Sequence, residues 1–512
     1  MTLPPPTPEA LAALAARLGL GIDPTDLETY YGASAGLLGS WETVDRLYAA
    51  QAPVPPARAW QEPADNPLGA WYVTTDIPGA ADGVLAGKSV AVKDNIAVAG
   101  VPMMNGSATL AGFVPSSDAT VVTRLLAAGA TIKGKSACED LCFSGGSHTN
   151  KAGPIRNPWD RERSAGGSSS GSAALVASGE VDLALGGDQG GSVRIPSSFC
   201  GTVGHKPTFG LVPYTGAFPI EQTIDHLGPI TRTVADAALL LSVLAGPDGL
   251  DPRQAGGQPA VDYLAGLELS GPLRIGVVTE GFQLANSDPA VSAVVRDALQ
   301  ALAAAGHLVE EVSIPWHRHG SAIWDVISVE GATWQMVQGN GYGLNWKGRY
   351  DPELMSYYGH RWRADPSAFS ETVKLVALAG TYALDTAYGS YYAKARNLES
   401  QLTQAYDEQL AQFDVLAMPT LPITASLLPP ADAPVADVLG RALEMIANTA
   451  PFDVTGHPAC SVPAGLAGGL PVGLMLIGKH FDDAGVLRAA RCVESTVGTL
   501  SPLDPVTKEM SA

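Results

Sequence analysis

Positive charge is scarce in this chain: 31 Lys and Arg stand against 51 Asp and Glu, for a net charge of −20. With no basic patch to reverse it locally, that balance excludes nucleic acid and anionic membrane surfaces as partners. Long hydrophobic runs are also missing. The longest aliphatic stretch, Ala237 to Ala245 (AALLLSVLA), falls well short of the ~20 residues a bilayer span needs. The N-terminus, MTLPPPTPEALAALAARLGL, has no basic residue ahead of its apolar part, so it does not read as a secretory leader, and the expected address is the cytoplasm. Cysteine is rare, odd in number and scattered (Cys138, Cys142, Cys200, Cys460, Cys492), which argues against a disulfide framework. Cys138 and Cys142 lack the second Cys/His pair that a structural metal site requires. Glycine and proline, in contrast, are abundant at 57 and 39, and 46% of residues are apolar, as in a loop-rich globular enzyme.

Helical patterns over Pro8 to Leu18, Asp26 to Leu37 and Ser40 to Ala49 precede a proline-rich stretch, Ala52 to Pro56. Residues 1–75 therefore read as a helical appendage on a linker, with Thr7, Pro8 and Glu9 in the order of an N-cap, N1 and first-turn acid. From Gly87 onward, short apolar strands (Ser89 to Val92, Thr131 to Lys133) alternate with Ala-rich helices such as Thr120 to Ala128, the α/β signal of a catalytic domain over 76–512. A βαβ unit is expected from the strand at Leu273 through the helix Pro289 to Ala304 to the strand His307 to Val312. Strands near Val415 to Met418, Ala459 to Val462 and Val472 to Ile477, then a helix Ala484 to Val497, close the chain. The aromatic-rich region 316–396 is expected to wall a substrate pocket.

The stretch Gly166 to Thr208 concentrates glycine and serine around two sharp turns. In GGDQGGS, Gly190 and Gly191 precede Ser192, so successive N–H groups can converge on one point, as an oxyanion hole or an anion nest requires. Ser168 lies in a second Gly/Ser turn, and Lys93 ends a strand in SVAVKDN. Together the three supply a nucleophile, a relay hydroxyl and a base.

GGSSSGSAA followed by GGDQGGSVRIP resembles the amidase signature, and AVKDN resembles that family's lysine motif. The resemblance runs over about residues 75–490, through NPWDRERSAGG, GPITRTVADAALLL, HPACSVPAG and GLPVGLMLIG. It implies an α/β fold with a central mixed, twisted sheet flanked by helices. It also makes Ser192 the nucleophile, Ser168 the proton relay in a cis peptide bond, and Lys93 a base that starts neutral. Such a lysine must be buried against the serines with no carboxylate partner. The N–H groups of Gln189, Gly190, Gly191 and Ser192 are expected to receive the oxyanion, and no metal or cofactor is needed. Ser170 stands where the family usually has glycine, and Gln189 where threonine is common. The appendage together with DQGGS and GHKPT is similar to the nitrile-hydratase-associated, enantioselective bacterial amidases, which convert simple amides to acids and ammonia. By position, Phe143, Ser144, Gln189, Ile224, Trp324 and Ile446 are expected around the substrate, and Asp188 and Arg194 to pin the loop.

Other readings compete. Gly129 to Ser136 (GATIKGKS) fits the P-loop expression, yet its helix precedes the glycine and its strand follows, the reverse of a nucleotide-binding order. A Ser/His/Asp hydrolase has His205 and His226 available, but no GxSxG elbow surrounds Ser192. Carbamate or anilide hydrolysis uses the same residues, as does the glutaminase component of an aminoacyl-tRNA amidotransferase. The appendage's spare apolar face favours a homodimer.

Overall fold

The computed structural model describes residues 6–254, 258, 261–268 and 271–502. Twelve strands form one mixed sheet in the order β1-β2-β4-β3-β5-β7-β6-β11-β12-β10-β8-β9. In chain order they are β1 (Trp60–Gln61), β2 (Trp71–Ile77), β3 (Ser89–Lys93), β4 (Thr131–Ser136), β5 (Leu183–Asp188) and β6 (Val203–Lys206), followed by β7 (His226–Thr231), β8 (Arg274–Val278), β9 (Leu308–Val312), β10 (Val415–Pro419), β11 (Ala459–Ala467) and β12 (Leu470–Ile477). β4, β3 and β5 run parallel, as do β10, β8 and β9, and the remaining pairs are antiparallel. The central strands are buried along their whole length, as a sheet covered on both faces must be.

The expected βαβ unit is present: β8 and β9 pair in parallel, and the helix between them runs Pro289–Ala304 behind an Asp288 cap. Thr120–Ala127 is a helix that ends before Gly129, whose φ of +91° suits the left-handed turn, and β4 follows. That order removes the P-loop reading.

The chain divides into two compact units, Met1–Pro55 and Pro56–Ala512. The break thus falls earlier than the expected boundary at 75/76, because β1 and β2 are strands of the large sheet and a division at 75/76 would cut β2. In the first unit, Pro8–Leu18 begins with the Thr7 cap, Pro8 and Glu9 as expected. The two further helices expected there are one, Leu27–Ala49, which continues through Gly36 and Gly39. Neither helix of this unit buries a single residue.

Tyr342, Tyr358 and Phe369 join Met103, Phe113 and Met336 in a second hydrophobic cluster beside the main core. Cys142 and Phe143 belong to the same cluster. A segment of π-helix, Thr333–Gln338, interrupts the helical run there.

Candidate active site

Lys93 is the last residue of β3 and is fully buried. Its Nζ donates to Ser168 Oγ at 2.8 Å and to the Gly187 carbonyl at 3.2 Å. The neighbouring carboxylate, Asp94, is committed elsewhere. Asp94 accepts the N–H groups of Met104 and Asn105 at 3.0 and 2.7 Å, and Lys135 Nζ at 3.0 Å, in an ion pair with both side chains buried. Strand alternation explains the division. Val92 pairs with Lys135 and Lys93 with Ser136, so Lys135 lies on the face opposite Lys93. Among the described residues, no carboxylate forms an ion pair with Lys93.

Ser168 follows a cis peptide bond from Gly167 and is fully buried. Ser192 sits on the turn after β5, between that strand and the helix Arg194–Cys200. This turn is held from both sides. Asp188 accepts the N–H of Gly191 (2.6 Å) and Val193 (3.0 Å) and the Arg194 guanidinium at 3.0 and 2.9 Å. Arg194 also reaches Asp453 at 2.7 Å and the Thr449 carbonyl at 2.9 Å. Burial alone would raise the Asp188 carboxyl, but the Arg194 charge and hydrogen bonds hold it well below the ordinary carboxylate range. Asp453 goes the other way, pushed up by burial and then by the charge of Asp188. Asp188 and Arg194 thus pin the loop.

The loop's carbonyls are tied as well. Trp324 Nε1 donates to the Gln189 carbonyl at 2.6 Å, and Thr449 Oγ1 donates to that of Gly190 at 2.6 Å. The packing leaves no room for side chains: a Cβ on Gly190 would lie 2.6 Å from Trp324 Cζ2, and one on Gly191, at φ +131°, would collide with Thr449 Oγ1. One expectation is corrected. The Gly191 N–H is spent on Asp188, so of the four expected donors those of Gln189, Gly190 and Ser192 remain without an acceptor among the described residues.

Beside the turn lies a cavity whose lining includes Ser192, Gln189 and Gly190. Phe143, Ser144, Ile224, Trp324 and Ile446 all line it, so the residues expected around a substrate are brought together. Cys142, Ile195, Ile220, Ser328 and Leu443 line it too, beyond what the sequence indicates; only the proximity of Cys142 to Phe143, and of Ile220 to Ile224, offers a hint. Gln189 donates through Nε2 to Tyr214 Oη at 3.0 Å, while its buried Oε1 has no partner among the described residues. The histidines are engaged elsewhere, His205 with Asp483 at 2.9 Å and His226 with the Ile224 carbonyl at 2.8 Å. That disposes of a Ser/His/Asp triad. His317 is likewise occupied, by Tyr406 and Asn448.

The family model for amidases matches residues 69–487. An enantioselective amidase of Rhodococcus rhodochrous is 54% identical over 510 residues, covering 98% of each chain. A glutamyl-tRNA(Gln) amidotransferase subunit of Halobacterium salinarum is 41% identical, over 83% of this chain and 99% of the relative. Among solved structures, the corresponding amidotransferase subunit from Thermotoga maritima superposes with a TM-score of 0.69 at 33% identity, covering 87% of this chain and 90% of that one. A match over most of the length, joined to a full-length likeness, places the chain in the amidase family, as a hydrolase of amide C–N bonds.

Proposed function

We propose that the enzyme hydrolyses small aliphatic and aromatic carboxylic amides to acid and ammonia through an acyl-enzyme on Ser192. The observation that carries the residue roles is the 2.8 Å hydrogen bond between buried Lys93 and Ser168, with no carboxylate on the lysine among the described residues. Lys93 takes a proton from Ser168, which takes one from Ser192 as its Oγ attacks the amide carbon. The N–H groups of Gln189, Gly190 and Ser192 stabilise the oxyanion, in a loop already pinned by Arg194, Trp324 and Thr449 and so spared reorganisation. The proton returns to the departing ammonia by the same path, and water then attacks the acyl-enzyme. The unpartnered Oε1 of Gln189 supplies an acceptor for the substrate N–H.

The cavity supports this substrate class over glutamine. Its lining contains Phe143, Ile195, Ile220, Ile224, Trp324, Leu443 and Ile446 and no Lys, Arg, Asp or Glu. Glutamine would bring a carboxylate and an ammonium into that apolar wall without partners, at a cost of several kcal/mol. The Rhodococcus relative spans nearly the whole chain, whereas the Halobacterium amidotransferase subunit spans 83% of it. Rigid, branched and aromatic walls around the acyl group also favour one enantiomer of an α-substituted amide. Carbamates and anilides are the second reading, on the same three residues.

We place the enzyme in the cytoplasm as a homodimer. Among the described residues, no helix is long and apolar enough to cross a membrane. In the first unit Leu14, Leu18, Tyr30, Leu37, Trp41, Val44 and Leu47 are all exposed, an apolar surface of the kind that marks an interface.

Ammonia release from acetamide, benzamide, a phenyl carbamate and glutamine, with aniline release from an anilide, tests the reading for wild type and Ser192→Ala side by side. Release from the simple amides that vanishes in the variant is expected. Glutamine as the sole substrate would overturn it. Removing residues 1–55 is expected to lower the oligomeric state in solution.

A further inference from the structure

All five cysteines are buried and free, but they are not alike. Cys200 and Cys460 are pushed far up by burial, Cys492 is raised by the same cause, and Cys138 is raised by burial and by its neighbour Cys142, as inert core thiols are. Cys142 is on the cavity wall with Ser192 and Gln189. Leu141 and Cys142 are both left-handed, at φ +46° and +60°, so the chain turns sharply where Cys142 meets the cavity. Its Sγ shares one acceptor with its neighbour: Cys142 Sγ lies 3.1 Å and Cys138 Sγ 3.5 Å from Asn105 Oδ1. Burial opposes ionisation of Cys142. Hydrogen bonding from Cys138, the charge Lys93 carries once it has taken a proton, and hydrogen bonding from Ser168 and Lys93 outweigh burial and bring the thiol below its ordinary value. The cavity also holds a buried polar atom in search of a ligand, Gln189 Oε1.

We propose that Cys142 is a nucleophilic thiol of the acyl pocket and the site at which small amides bearing an electrophilic carbon alkylate the enzyme. The proposal rests on the reading of this cavity as the substrate pocket, since an amide group is what carries the electrophile to the thiol. With a haloacetamide, the Lys93 amine takes the Cys142 proton, Sγ attacks the CH2 carbon, an S–C bond forms, the C–I bond breaks and iodide leaves. The base that serves Ser168 thereby serves a second nucleophile in the same pocket. Inactivation follows because the carbamidomethyl group occupies the acyl site.

The full-length enzyme treated with 2-iodoacetamide, followed by peptide mass mapping of all five cysteines and by residual activity, tests this. Cys142 is expected to be carbamidomethylated at least roughly ten-fold faster than any other cysteine, with activity lost at the same rate. Benzamide is expected to slow both. Cys138→Ala, which removes the hydrogen bonding to Cys142, is expected to slow labelling of Cys142 several-fold. Ser192→Ala, which cannot consume the reagent, is expected to label at Cys142 as wild type does. Uniform labelling of the five cysteines, or an unlabelled Cys142 in an enzyme that still hydrolyses benzamide, overturns the inference alone. Fast labelling of Cys142 that benzamide leaves unchanged upholds the reactive thiol and overturns the pocket reading on which substrate delivery rests.

Discussion

Two lysines on adjacent strands, both fully buried, have opposite surroundings. Lys135 on β4 meets Asp94 at 3.0 Å; Lys93 on β3, next to that same aspartate in sequence, meets a serine hydroxyl and a carbonyl instead. The difference comes from the two-residue period of a strand. Lys93 and Asp94 leave the chain on opposite faces, so the carboxylate nearest in sequence is delivered to the other lysine. A buried lysine that is to serve as a base must be kept from carboxylates, and Lys135 keeps it so by occupying the one at hand. Asp140 completes the set as a buried carboxyl with no cation among the described residues: Oδ2 accepts the Ser370 N–H at 2.9 Å, and no described residue partners Oδ1.

The largest effect should come from removing the unpaired lysine's own chemistry. Ser192→Ala is expected to lose turnover to background, and Lys93→Ala to lose about 10²- to 10⁴-fold in kcat with its fold intact by circular dichroism. The Lys93→Ala/Ser192→Ala double variant should be little worse than Ser192→Ala, since the residues act as a unit. Equal kcat in Lys93→Ala and wild type would be incompatible with the assignment.

Breaking the paired lysine should act on stability rather than first on rate. Lys135→Met leaves Asp94 buried and uncompensated, and is expected to cost about 3–5 kcal/mol in chemical denaturation. Adding Asp94→Asn should recover much of that loss. An unchanged midpoint in the single variant would mean that the pair contributes nothing.

The pinned loop offers a smaller test. Gly191→Ala drives a Cβ into Thr449 at φ +131°, and the shifted turn is expected to lower kcat by about 10²-fold while KM changes little. A KM effect alone would place the loop in binding rather than in the reaction.

The smallest effect concerns Asp140, which burial raises to about 7. A carboxyl raised above its unfolded value binds a proton in the folded state that the unfolded chain has already lost. Between about pH 4 and 7 its contribution therefore turns increasingly against folding as pH rises, and above 7 that cost is complete. Asp140→Asn should raise the melting temperature at pH 8 and leave it nearly unchanged at pH 4. The same gain at both values would locate the effect in packing instead.

Much of the site is legible along the chain because its parts are local. The glycines before Ser192, the Gly/Ser turn around Ser168 and the strand ending at Lys93 are each dictated by backbone demands within a few residues. Helix ends are local too, and Pro8–Leu18 and Pro289–Ala304 fall where their caps and prolines place them. What the sequence conceals is held at a distance. The Trp324 and Thr449 bonds to the loop carbonyls span 135 and 259 positions, and the Asp94–Lys135 pair spans 41. The loss of the Gly191 N–H to Asp188 is short in sequence, but it depends on a turn geometry that composition does not specify. The appendage ends before the boundary expected at 75/76 because β1 and β2 pair into one end of the sheet, and β1, at two residues, is too short to show a pattern of its own.

The sequence by itself determined the nucleophile, relay and base as candidates, the α/β alternation and the membership of the family, because each is carried by residues whose chemistry or backbone freedom is local. Tertiary structure decided which lysine is left without a carboxylate among the described residues, that the Gly191 N–H goes to Asp188, and that Cys142 joins the cavity wall. Those are matters of which face a side chain leaves from and what distant strand or helix meets it there.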